Sequence, residues 1–64
     1  MTEFEEDLFH ILAPLRSHAY FLQEAAKRNP DDTVTEERAY LVKLIFRDCE
    51  REAEKLGYKT RRGT

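Results

Sequence analysis

Residues 27 to 33 read KRNPDDT, and the fold turns on how this stretch is taken. Asn29 tolerates left-handed or extended backbone, and the ring of Pro30 disfavours helical geometry in the residue before it. Lys27 and Arg28 stand where cations suit the C-terminal end of a helix dipole. The stretch therefore predicts a helix ending near Arg28, a turn over residues 29 to 32, and a second helix directly after it.

Upstream, Thr2 and Glu5 have the spacing of a capping box, in which each side chain satisfies the other residue's free backbone N–H. Glu3, Glu5, Glu6 and Asp7 then lie in the first turns, where the helix dipole favours negative charge. Pro14 interrupts this segment, and a proline inside a helix costs about 3 kcal/mol. Two readings follow: one helix over residues 3 to 28 kinked at Pro14, or a helix broken there, with a short piece ending near Leu12. Ala13 offers no side-chain oxygen to cap a restart, which favours the single helix.

Downstream, the second helix is predicted to begin at Thr33, with Glu36 three positions on, or at Thr35, with Val34 stapled against Ala39. It stops at Gly57, expected as the left-handed residue of a Schellman motif, with Tyr58 folding back over Ala53. The remaining KTRRGT reads as a basic, flexible tail. Residues 1 to 58 are thus one helical domain and 59 to 64 its tail.

Apolar residues in the first helix recur at Leu8, Leu12, Leu15, Ala19, Leu22 and Ala26, alternating steps of four and three as a heptad seam does. In the second helix Ala39, Val42, Phe46, Cys49, Ala53 and Leu56 do the same. Folded back through NPDD, the rungs pair Ala26 with Ala39, Leu22 with Val42, Ala19 with Phe46, Leu15 with Cys49, Leu12 with Ala53 and Leu8 with Leu56. Large side chains mostly face small ones, as interdigitated packing requires. The predicted fold is all-α, an antiparallel helical hairpin.

That seam leaves apolar side chains over. RAYLVKLIFRDC, residues 38 to 49, spreads Tyr40, Leu41, Val42, Leu44, Ile45 and Phe46 around most of the helix, more than one neighbour covers. Phe4, Phe9, Ile11, Tyr20 and Phe21 are similarly left over on the first helix. At about 25 cal/mol per Å² of apolar surface, leaving several in water forfeits several kcal/mol, comparable to the stability of a small domain. The economical cover is a second copy, two hairpins making a dimeric four-helix bundle. The alternatives are a three-helix monomer, if Pro14 breaks the first helix, or an obligate complex with another protein. Phe9, Tyr20, Phe21, Tyr40, Leu41, Leu44 and Ile45 are the expected interface residues. In length and layout the chain is similar to the small dimeric four-helix bundles built from two hairpins, a likeness of architecture that transfers no residue roles.

Composition narrows the function classes. At 64 residues the chain is a single small domain, for which oligomerisation is a common route to stability, and its one cysteine excludes an internal disulfide. An acidic N-terminus, the lone cysteine and the lack of a long apolar run point to the cytoplasm and away from membranes. With 38% charged residues and a net charge of −2, non-specific nucleic-acid binding through overall charge is disfavoured.

Candidate chemistry is sparse. Asp7 and His10 have a carboxylate-x-x-His spacing used in di-iron bundles, but the seam places both outside. His18, beside the seam, is expected to be half-buried and hydrogen-bonded. Cys49 is expected to pack as a small hydrophobe. Glu50, Glu52 and Glu54 alternate with Arg47, Arg51 and Lys55 as a solvated, salt-bridged face. No phosphate loop, zinc spacing or catalytic triad is present. The expectation is a protein without enzymatic activity, cofactor or metal: a small regulator or inhibitor, of the type found in bacteria and phages, that binds a protein target. Two alternatives stand beside it. In one, Lys59, Arg61 and Arg62, helped by Lys27 and Arg28, contact nucleic acid. In the other, pockets between protomers near His18, Tyr20 and Tyr40 sequester a small ligand such as a nucleotide.

Overall fold

Two helices, α1 (Glu3–Arg28) and α2 (Thr33–Lys55), pack side by side as an antiparallel hairpin in the computed structural model, which describes residues 1 to 61. The rod measures 43 × 18 × 16 Å. Its radius of gyration is 13.6 Å, whereas a compact chain of this length has about 11 Å.

The start of α1 is the expected capping box. The Thr2 N–H donates to Glu5 Oε1 at 2.8 Å, and the Glu5 N–H donates to Thr2 Oγ1 at 3.2 Å. The helix then runs through Pro14 without interruption, so the reading with a break near Leu12 is overturned, and the three-helix monomer with it. Both Pro14 and His10 are exposed, which leaves the His10 carbonyl, deprived of its usual donor by the proline, on the solvent side.

α2 begins at Thr33, the first of the two expected starts, but its N-cap is Asp32 and not a threonine. Its carboxylate accepts the Thr35 N–H on one oxygen at 3.1 Å and the Thr35 hydroxyl on the other. At the other end the Schellman stop forms as expected: Gly57 has φ +91°, the Gly57 N–H donates to the Glu54 carbonyl and the Tyr58 N–H to the Ala53 carbonyl.

Between the helices Leu12, Ala19 and Phe46 are buried together, with Leu8, Leu15 and Val42 packed against them. Ala53 closes the row toward the chain ends. Two rungs of the expected seam fail. Cys49 is exposed, and the inner position one residue on is taken by Glu50, only 7% exposed. Leu56, the C-cap residue of α2 just before the reversal at Gly57, is 77% exposed. Straight helices drift by about 20° per heptad relative to a 3.5-residue repeat, enough for the inner face of α2 to move from Cys49 to its neighbour.

Residues 59 to 61 do not hang free as a flexible tail. The Lys59 N–H donates to Glu5 Oε2, the Thr60 carbonyl accepts from Arg16 Nη2 at 2.8 Å, and the Thr60 hydroxyl donates to Glu54 Oε1 at 3.0 Å. Thr60 is buried in consequence. Arg62, grouped with the tail, lies outside the described residues.

Candidate interaction surface

The seam buries little. Besides the core just described, large apolar side chains remain open on both helices: Tyr20 (59%), Phe21 (68%), Tyr40 (62%), Leu41 (56%), Leu44 (39%) and Ile45 (60%) exposed. Phe9, the other expected interface residue, is half-buried, its ring set edge-on to His10 at 5.9 Å. Tyr20 and Phe21 likewise form an edge-to-face pair at 6.1 Å.

These residues do not share one face. Successive helical residues are about 100° apart, so Tyr20 flanks the α1 seam on the same side as Arg16, and Tyr40 flanks the α2 seam on the same side as Lys43. The Arg16–Glu50 pair and a common trough identify those flanks as one side of the hairpin. The trough, of about 430 Å³, has a floor of Ala19, Ala26 and Ala39, with Gln23, Tyr40 and Lys43 among its walls. Leu41 and Ile45 lie on the opposite side. Phe21 and Leu44 point away from the seam altogether.

The trough-bearing side is the polar one. Arg16 Nε donates to Glu50 Oε1 at 2.9 Å, Arg61 Nη2 approaches Glu50 Oε2 at 3.4 Å, and Arg16 also holds the Thr60 carbonyl. No buried side-chain nitrogen or oxygen among the described residues lacks a partner. Glu50 therefore leaves the solvated face to which its spacing assigned it. Asp48, Arg51, Glu52 and Lys55 do form exposed pairs, Arg51–Asp48 at 3.0 Å and Lys55–Glu52 at 3.2 Å, each worth less than about 1 kcal/mol.

Two carboxyls are perturbed. Glu5 lies below its ordinary value because the backbone N–H groups of Thr2 and then Lys59 bind its charged form. Asp32 is lowered by the hydroxyl and then the N–H of Thr35. Both are structural caps and neither faces a cleft.

The remaining candidates are scattered. His18 is exposed and not half-buried, since it points toward the apolar side of the hairpin, which none of the described residues covers. His10 Nε2 lies 3.9 Å from Glu6, one turn away. Among the described residues no group of three or more His, Cys, Asp and Glu side chains is placed to hold an ion. None of their helices is long and apolar enough to cross a membrane. Of the basic residues, Arg61 is engaged with Glu50, and Lys59 is exposed although its backbone is tied to Glu5.

Sequence reasoning missed Arg16 and Glu50. Their signal was present: Arg16 is four residues after Leu12 and three before Ala19, and Glu50 stands likewise between Phe46 and Ala53. Opposite charges one step off an apolar seam, at matching levels of a hairpin, mark such a pair. Comparison with protein-family models, curated proteins and solved structures finds no match to this chain.

Proposed function

We propose that this chain is a non-enzymatic interaction protein that self-associates, two hairpins forming a four-helix bundle, and acts in the cytoplasm as a regulator or inhibitor by binding a protein target. One observation carries the reading: among the described residues four apolar ones are buried, while Leu41, Ile45, Tyr20, Phe21 and Tyr40 keep more than half their surface in water. The surface totals 4957 Å² for a 7.6 kDa chain, where a folded monomer of that mass exposes about 4,300 Å². The excess, roughly 650 Å², is somewhat below the roughly 800 Å² that one partner contributes to a standard interface.

Light scattering on the full chain across micromolar concentrations tests the association. Twice the chain mass supports it, and a single-chain mass up to several hundred micromolar removes it. A second reading is a small-ligand sequestering protein, favoured by the trough beside Tyr40 and Lys43, whose volume falls in the usual range for ligand sites. A rise in melting temperature with a nucleotide panel would support that reading. A nucleic-acid regulator using Lys59, Arg61 and Arg62 is supported only by the sequence of the tail. Its test is salt-sensitive retardation of DNA or RNA that is lost when residues 59 to 64 are removed.

A further inference from the structure

The two sides of the hairpin are unlike. One carries the Arg16–Glu50 pair, the docked residues 59 to 61 and the trough. On the other, Phe4, Ile11, Val34, Leu41, Ile45 and Leu56 are each exposed by half or more. Phe4 and Ile11 are one heptad apart on α1, and the same spacing carries the stripe on to His18 and Ala25. Val34 and Leu41 repeat that spacing on α2, with Ile45 one turn on. Cys49, exposed, continues the row toward Leu56. The result is an apolar band running most of the length of the rod, bordered by Asp7 and by Arg38, whose charge also acts on the Asp32 carboxylate near the turn.

We infer that the seat for a second copy of this chain is this apolar side and not the side carrying Tyr20 and Tyr40, and that the two hairpins lie antiparallel with their turns at opposite ends. The inference rests on the self-association proposed above and assigns its surface and direction. A partner's share of a standard interface is about 800 Å², and six large apolar side chains at these exposures supply an area of that order. Charge fixes the direction. Arg38 lies near the turn and Asp7 near the open end, so antiparallel copies set Arg38 beside Asp7 of the other chain. Parallel copies would place like charges together at both ends. The two-fold axis then crosses near mid-length, at the level where Arg16 meets Glu50, next to Cys49.

Light scattering on wild type, Ile45→Glu and Tyr40→Glu, with helix content followed by circular dichroism, separates the outcomes. The expected result is double mass for wild type and Tyr40→Glu, and single-chain mass for a helical Ile45→Glu. Double mass for both variants overturns the face assignment while leaving self-association intact. Single mass for wild type removes both. Should Ile45→Glu unfold, the wild-type thiol decides: reaction of Cys49 with a disulfide reagent should slow at least tenfold as the concentration rises through the association range. A Cys49 equally reactive in the associated state would overturn the assignment.

Discussion

Arg16 and Glu50 meet across the hairpin, Nε to Oε1 at 2.9 Å, at the level where an apolar rung of Leu15 on Cys49 was expected. Arg16 reaches on to the Thr60 carbonyl, so one guanidinium joins α1, α2 and the returning chain.

Truncating Arg16 should therefore be costly. Arg16→Ala leaves Glu50 nearly buried with only the longer Arg61 contact, and a loss of about 2–3 kcal/mol is expected, below that of a fully buried pair because Arg16 retains some solvent. Urea denaturation measures it. The double variant Arg16→Met, Glu50→Leu should recover much of the loss, since apolar replacement removes the stranded charge. No recovery would mean that the link to Thr60 matters more than the pair.

The cap of α2 separates two neighbouring residues. Asp32→Ala should cost about 1 kcal/mol, the usual worth of a side-chain N-cap, whereas Thr33→Ala should fall within about 0.5 kcal/mol of wild type. Equal losses in thermal melts would point to a cap shared between them.

Gly57 isolates a backbone effect. A Cβ added there meets nothing within 4 Å, yet φ is +91°, so Gly57→Ala should destabilise by about 1 kcal/mol through conformation alone. Asn, which tolerates left-handed backbone better, should cost less. Equal penalties for Ala and Asn would contradict that ordering.

Acid should weaken the fold through its caps. Glu5 and Asp32 titrate lower in the folded chain than their ordinary 4.5 and 3.8, so the unfolded chain binds more protons in that range. Their stabilisation is complete above those ordinary values and is lost as pH falls through the lowered folded values. Melting temperature should drop below about pH 4.5, and Glu5→Gln should flatten part of that drop. An unchanged profile in Glu5→Gln would assign the acid response elsewhere.

Much of the hairpin was legible because its signals are local. Thr2 and Glu5, Pro30 after Asn29, and Gly57 before Tyr58 each act within a few residues, and each produced the expected cap or stop. Asp32 was passed over because a threonine followed by Glu at the right spacing looks equally good when only pattern is read; the second bond to the Thr35 hydroxyl decides it. The seam was right at Leu12, Ala19 and Phe46 and failed at Cys49 and Leu56, where a small drift in helical phase changes which residue points inward. The seam pattern alone leaves the exposed aromatics over, but dividing them between two sides requires a contact between helices. Arg16 with Glu50 supplies it.

Glu5 uses one oxygen for the Thr2 N–H and the other for the Lys59 N–H. Fraying at the first turn thus releases the returning strand of chain beyond Gly57, and lifting that strand loosens the first turn. The open pole of the rod behaves as one cooperative unit, whose amides should exchange with solvent together, while the pole at Pro30 opens on its own.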